Sequence, residues 1–399
     1  MAKNGKNLIL FDGKSRDHLL PLTFTRPVGS LRVGTLCIYE KWEKRLNTPA
    51  SFLTQDYLSE LFPIRAGDHN LLIDGSCLPD KSLLEKIDQL GLGEAIFYRG
   101  EMIAALLDRA QLFSWKDDKN TGLFTAFEYE EDISKIDAPA DIFALNDTEL
   151  VKDFQLITTG RSSALLPEHC QVVGPMDKLF IEQGTKIEPC TIIVNDGPIY
   201  IGRQATILAG AMLRGPLSIG DRSVIKMGAK IYGATTIGPS CKAGGEINNV
   251  LFYANSNKGH GGYLGNSIVG EWCNFGADTN CSNLKNDYGN VRVWSYVEGR
   301  FSQTNRQFHG LIMADHAKCA INTMFNTGTV VGVSANVFGD GFHRPFIPDF
   351  SWGGKATYKL DQALATAERV MARRDRVLDE AERQMLKAVF EQTKKWRRE

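Results

Sequence analysis

Ile201-Gly-Arg-Gln-Ala-Thr-Ile207-Leu-Ala-Gly-Ala-Met-Leu213-Arg-Gly-Pro-Leu-Ser-Ile219-Gly-Asp-Arg-Ser-Val-Ile225-Lys-Met-Gly-Ala-Lys-Ile231-Tyr-Gly-Ala-Thr-Thr-Ile237-Gly-Pro-Ser-Cys-Lys-Ala243 decides the fold of the larger part of this chain. An aliphatic or small apolar residue returns at every sixth position. Four residues after most of these stands a small side chain: Ala205, Ala211, Ser223, Ala229, Thr235 and Cys241. A period of six fits neither an amphipathic helix at 3.6 nor a half-buried strand at 2. It fits a coil with three flat faces, each one hexad long. The aliphatic residue points into the prism, and the small residue fits where a corner brings backbones close. Glycine after the aliphatic position (Gly202, Gly220, Gly238, Gly270, Gly276, Gly332) eases that corner.

The same phase appears upstream at Ile181, Ile187 and Ile193 and slips by two at Asn195-Asp196-Gly197-Pro198. It returns at Val269, Phe275 and Cys281, and again at Met313, Cys319, Phe325, Val331 and Val337. Such a stack buries its core only between neighbouring turns, and roughly seven to eight turns are expected here. Residues 156–345 are therefore expected to form a left-handed parallel β-helix of hexapeptide repeats.

Residues 1–155 have a different texture. Asn7-Leu-Ile-Leu-Phe-Asp12 and Asn70-Leu-Leu-Ile-Asp74 read as buried parallel strands. Helical patterns lie at Tyr39–Leu46, Gln55–Phe62, Lys81–Leu90 and Glu101–Ala110, so an α/β, Rossmann-like domain is expected. Asn146 to Gly160 is expected to be the connecting helix. Residues 346–399 read as a strap and a helical tail, with Leu360, Ala363, Ala367, Val370, Met371, Val377 and Leu378 near one face. The tail ends in the basic run Lys394-Lys395-Trp396-Arg397-Arg398.

A net charge of −1 gives no electrostatic reason to expect nucleic acid as a partner. No stretch approaches the roughly 20 apolar residues of a membrane span. The polar start, Met-Ala-Lys-Asn-Gly-Lys, lacks the shape of a signal peptide. The eight scattered cysteines contain no C-x-x-C pair and read as reduced small hydrophobes. A cytoplasmic protein is expected.

Four polar segments interrupt the apolar repeat: Glu246-Ile-Asn-Asn249, Ser256-Asn-Lys-Gly-His260-Gly-Gly-Tyr263-Leu-Gly265, Asn274-Phe-Gly-Ala277 and Asn280-Cys-Ser-Asn283. Packing gains nothing from that departure, which points to function. Amide-forming acyl transfer needs a base for the amine proton, and imidazole suits that near neutral pH. Backbone N–H groups at glycine-rich turns can meet the developing oxyanion.

Residues 244–283 resemble the acetyltransferase domain of the bifunctional UDP-N-acetylglucosamine pyrophosphorylase / glucosamine-1-phosphate N-acetyltransferase family. Its motif K-A-G-H-x-x-Y-L-G reads here Asn-Lys-Gly-His260-Gly-Gly-Tyr263-Leu-Gly. The following I-G-x-x-x-N-x-G-A-G-T reads Val-Gly-Glu-Trp-Cys-Asn274-Phe-Gly-Ala277-Asp-Thr. The hydroxyl of Tyr263 and the amides of Asn274 and Asn283 could hold a sugar or its phosphate; the resemblance implies that His260 is the base, with Tyr263 and Asn274 at the sugar phosphate and Asn283 beside the acetyl donor. Ala277 would line the acetyl-CoA site, with Ala314 and Val333 in later coils. Lys230 falls where the family has a phosphate-binding arginine, keeping the charge and losing the bidentate fork. Asn248 replaces a lysine, and Leu284 a tyrosine. Assembly as a homotrimer is also implied.

The N-terminal domain resembles sugar-nucleotide pyrophosphorylases through Gly13-Lys-Ser-Arg16 and Pro21-Leu-Thr-Phe-Thr-Arg26-Pro27-Val28, against G-x-G-T-R and P-L-T-x-x-R-P-K-P. This implies Arg16 and Arg26 at the substrate, and Asp74 with Asn146 as ligands of Mg²⁺. One glycine remains where several would wrap a triphosphate, Val28 stands where the lysine would be, and Ser76 takes the usual aspartate slot. Two readings follow. One is a bifunctional, or formerly bifunctional, enzyme of UDP-amino-sugar synthesis acting on sugar phosphate and nucleotide. The other is a non-catalytic sugar-nucleotide-binding regulator. His309 and His316 lack the tight spacing of hexapeptide carbonic anhydrases, whose zinc would need a third histidine. His343 is expected in the strap.

Overall fold

The computed structural model describes residues 5–118, 122 and 124–397; the opening tetrapeptide and Arg398 of the basic run lie outside them. The chain divides into two units. The first takes the chain to Leu19, with Thr25–Leu31 and Leu36–Ala138; the second holds Leu20–Phe24, Arg32–Thr35 and the chain from Pro139 onward.

In the first unit Asn7–Phe11 pairs in parallel with both Ala50–Leu53 and His69–Asp74. The sheet continues through Glu101–Asp108, Glu94–Tyr98 and Thr125–Glu128. Leu8, Ile9, Leu10, Leu72 and Ile73 are buried, as their unbroken apolar runs require. Helices cover Ile38–Leu46, Lys81–Asp88 and Arg109–Asp118.

Two expectations fail here. Gln55–Phe62 holds only a single 3-10 turn, Asp56–Leu58. Glu101–Asp108 is a strand antiparallel to both neighbours, not a helix. Its Met-Ile-Ala-Ala-Leu-Leu run is buried along its whole length, and a short all-apolar run carries no period to separate strand from helix.

The continuous part of the second unit opens with the helix Pro139–Thr158, seven residues before the expected Asn146 start. Proline suits a first helical turn because its missing N–H would be unbonded there anyway. The boundary thus falls after Ala138 rather than at residue 155. The physical reason is Asn146. Its amide accepts from Gly34 N at 2.8 Å and donates to the Ala234 carbonyl of the β-helix at 2.5 Å.

The β-helix is present. Ile201 pairs with Ile219 and Ile219 with Ile237, one coil apart, and all three side chains are fully enclosed. Burying each is worth about 1.5–3 kcal/mol relative to exposure. A second face stacks Ile187, Ile207, Ile225 and Ala243 below Lys258, then Phe275, Cys319 and Val337 above it. The coil also runs unbroken through the polar segments. Phe252 pairs with Ile237 and Val269 with Phe252, in coils shorter than the regular step.

The segment Gly289–Gln307 is an antiparallel hairpin, Arg292–Ser295 with Arg300–Gln303. Trp294 stacks on Phe346 at 4.2 Å between centroids, and the Tyr296 hydroxyl donates to buried Asp349 at 2.8 Å. The strap extends the prism past residue 345, because Phe346–Ile347 pairs with Val330–Val331 and Trp352 pairs with Asn336. The tail forms Leu360–Ala372 and Glu380–Gln392. Ala363, Ala367, Met371 and Leu378 are buried as expected, but Val377 is 76% exposed between the helices.

Candidate functional site

His260 stands exposed at a corner of the prism, directly after Asn257–Lys258 on one face and before Tyr263–Gly265 on the next. Glycines 259, 261 and 262 surround it, and Gly262 takes a φ of +100°. The corner is a turn that side-chain-bearing residues would resist.

The face that follows carries the polar groups. Register sets Lys230 beside Glu246 and Glu246 beside Tyr263. Tyr232 donates its hydroxyl to Glu246 at 2.7 Å, which pushes the phenol up to about 12. The Tyr263 amide donates to Asn280 Oδ1 at 2.8 Å. Burial raises the Tyr263 phenol, which sits against the amides of Asn248 and Asn283. A Cβ on Gly265 would stand 2.3 Å from that hydroxyl, so glycine makes the hollow the phenol fills. Asn283 in turn donates to Asn266 at 2.7 Å.

Of the expected substrate residues, Lys230, Tyr263 and Asn283 therefore share one face. Asn274 is exposed on the other side of the His260 corner, paired with Asn257 and Lys318. Tyr232 joins the site without any mark in the motif, and Gly265, the closing glycine of the motif, proves to be the hollow for the Tyr263 ring. Glu246 lies in one of the polar segments, whereas nothing in the repeat around Tyr232 distinguishes it.

Along the corner that bears His260, the next coil offers Ala277 and the one after it Ile321, 67% exposed. A cavity of about 650 Å³ follows, lined by Phe338, Phe342, His343, Arg344, Trp352 and Lys355 among others. Ala314 and Val333, expected at the donor, are corrected. Both are fully enclosed, and their amides are spent on Val331 O and the Asp349 carboxylate. His309 is buried edge-on to Phe143 at 5.1 Å, and burial holds it at about 4. His316 stacks on Trp272.

In the first unit the loop after Asn7–Phe11 meets the end of His69–Asp74. Asp12 accepts from Val28 N at 2.8 Å and from the Thr54 hydroxyl at 2.5 Å. Arg16 is buried, donating to Asp17 at 2.6 Å and to the Tyr57 hydroxyl at 3.0 Å. Arg26 is buried as well. Neither guanidinium lies open to a substrate, which corrects the expectation; the exposed cation of this loop is Lys14. Asp74 is enclosed, accepting from the Ser76 amide at 2.9 Å and hydroxyl at 2.7 Å. Burial raises it to about 6.

Residues 8–162 match the family model described as sugar nucleotidyl transferase. The bifunctional protein GlmU of Methanocaldococcus jannaschii is 34% identical over 87 residues, covering 22% of this chain and 21% of that protein. A bifunctional sugar-1-phosphate nucleotidylyltransferase/acetyltransferase of Sulfurisphaera tokodaii is 29% identical over 93 residues, 23% of each. Over these stretches the chain is similar to bifunctional GlmU-type proteins, and residues 8–162 carry the sugar nucleotidyl transferase pattern. It spans between a fifth and a third of the length of the curated relatives it matches. Among solved structures, a hexapeptide transferase family protein from Anaplasma phagocytophilum is 15% identical, with a TM-score of 0.24, over 50% of this chain and 86% of that one.

A resident Mg²⁺ does not fit the first unit of this chain. Asp74 is already bonded through one oxygen, and Asn146 belongs to the second unit with its amide engaged. Among the described residues no three carboxylate, histidine or cysteine side chains gather. The Asp74 carboxylate is kept charged against its surroundings. A folded pKa near 6 against 3.8 unfolded means the group favours folding below pH 3.8 and opposes it as pH rises through 6. Asp74→Asn should therefore stabilise the first unit at pH 7.5, by up to about 3 kcal/mol, with no gain at pH 3.5. Denaturant melts at both pH values check this; a loss of stability at pH 7.5 would sink it.

Proposed function

We propose that this chain transfers an acetyl group from acetyl-CoA to the amine of a sugar phosphate, on a homotrimer that also carries a nucleotide-sugar domain serving UDP-amino-sugar synthesis. One observation carries the reading: His260, exposed on a glycine-built corner, adjoins a face bearing Lys230, Glu246, Tyr263 and Asn283. His260 takes the proton from the attacking amine. Lys230 is exposed and answers the acceptor's phosphate as a point charge rather than a fork. Tyr263 and Asn283, fixed against each other, orient the sugar hydroxyls.

Acetyl-CoA, when bound, supplies the thioester acyl group. The prism edge beyond His260 fits such a donor. Ala277 and Ile321 give it apolar surface, and the cavity beyond joins aromatic Trp352, 41% exposed, to the cations Arg344 and Lys355. Three coils separate the His260 corner from that of Phe338, about 14 Å at the usual strand spacing. That is a length an extended pantetheine arm can cover. The test is thiol release from acetyl-CoA with hexosamine phosphates as acceptors. Charge reversal at Arg344 and Lys355 together should raise the KM for acetyl-CoA by about 30-fold or more, since two phosphate-facing charges worth of order 1 kcal/mol each are at least lost and every 1.4 kcal/mol is tenfold. An unchanged KM would remove the donor from this cavity.

For the first unit, enclosed Asp74 and Arg16 favour binding of a nucleotide sugar without turnover. Equilibrium binding of UDP-N-acetylglucosamine without pyrophosphate release supports this, and release of pyrophosphate from UTP and sugar phosphate overturns it.

A further inference from the structure

We propose that Lys258 is a positioning residue that holds the His260 loop from inside the β-helix. The proposal rests on the reading of His260 as the acyl-transfer base.

Lys258 occupies an inward position of the hexapeptide repeat. Its partner one coil below is Ala243, and Phe275 lies one coil above. Every other inward residue of that column is apolar or a cysteine, while Lys258 is a lysine with 1% of its surface exposed. The repeat has no packing use for an ammonium there, and a buried charge costs free energy unless its donors are met.

They are met by one set of groups. Nζ donates to the carbonyl of Gly262 at 2.8 Å, and to those of His260, Gly261 and Gly244 at 3.2 Å each. Three of these four carbonyls belong to the loop that carries the imidazole; the fourth lies on the coil below. Gly245 makes the room, since a Cβ there would stand 2.9 Å from Nζ and 2.6 Å from Gly262 O.

The loop needs such a tether. Glycines 259, 261 and 262 leave its backbone with wide conformational freedom, and the His260 side chain is exposed and cannot anchor itself by packing. One ammonium drawing three successive carbonyls inward turns that loop about a fixed point and leaves the imidazole facing out. Burial lowers Lys258 to about 8, so the tether persists at neutral pH. Lys258 cannot itself meet substrate, being enclosed. It acts through His260.

The experiment compares Lys258→Met and Lys258→Gln with His260→Ala in the full chain. The expected result for Lys258→Met is a kcat lower by about 100-fold, the scale set by roughly 1 Å of misplacement, with the KM for acetyl-CoA changed less than threefold. Lys258→Gln, which keeps two donors, should recover some of that loss. A purely structural lysine would move neither kcat at fixed KM nor the partial rescue. If His260→Ala is inactive and Lys258→Met keeps its kcat within threefold, the Lys258 proposal falls alone. If His260→Ala stays active, the base assignment falls first. Should the lysine variants fail to fold, the wild-type protein decides. Backbone ¹⁵N order parameters of Gly261 and Gly262 should be about 0.85, and values below about 0.6 overturn the tether.

Discussion

His260→Ala should lower kcat for acetyl transfer by about 10³-fold, within the range a positioned general base supplies, and leave the thermal melt unchanged. The second half follows from exposure. The side chain lies outside the prism, and surface truncations away from caps and networks change stability by less than about 0.5 kcal/mol. The first half follows from removing the imidazole, the group of the corner suited to take a proton near neutral pH. The carboxylate on the neighbouring face, Glu246, is held by the Tyr232 hydroxyl, and Lys258 is enclosed. Thiol release at saturating acetyl-CoA measures the effect. Retention of more than a tenth of the wild-type kcat would remove His260 from the chemistry.

Much of the second unit was legible because a period of six leaves few alternatives. Ile201, Ile219 and Ile237 lie in register one coil apart, as the repeat requires. What the repeat could not reveal is the stretch from Ala243 to Val269, where shortened coils break the count while the prism continues through Ile247, Phe252, Lys258 and Leu264. Polar residues there looked like an interruption; most are the outward side chains of an unbroken coil, while Ser256, Lys258 and Ser267 are enclosed. In the first unit the strands at Asn7 and Asn70 were readable from their apolar runs, while Glu101–Asp108 was not, because burial on both faces erases alternation. Motif matching also misplaced the two arginines and Asn146. Residue type at a motif position says nothing of whether a neighbour such as Tyr57 or Gly34 has already taken the side chain.

The corner glycines show the same limit from another side. Their spacing marked them, and chain freedom seemed the reason. Yet Gly202, Gly220, Gly238, Gly270, Gly276 and Gly332 do not carry the positive φ that favours glycine. Their reason is the next coil. A Cβ on Gly238 would stand 1.5 Å from the Tyr253 carbonyl oxygen and 2.6 Å from that of Phe252. Both obstacles are backbone, so no side-chain rotation relieves them, and Tyr253 N is itself bonded to Val269 O in the coil above. Gly238→Ala should therefore force neighbouring coils apart and destabilise the β-helix by about 4 kcal/mol or more. Gly228→Ala supplies the contrast. It has a φ of +66° and nothing within 4 Å, so it meets only left-handed strain, about 1–2 kcal/mol. Urea melts of the two variants give the ordering. If Gly228→Ala proves the more damaging, close approach of successive coils is not what selects glycine at these corners, and the conformational explanation regains its place.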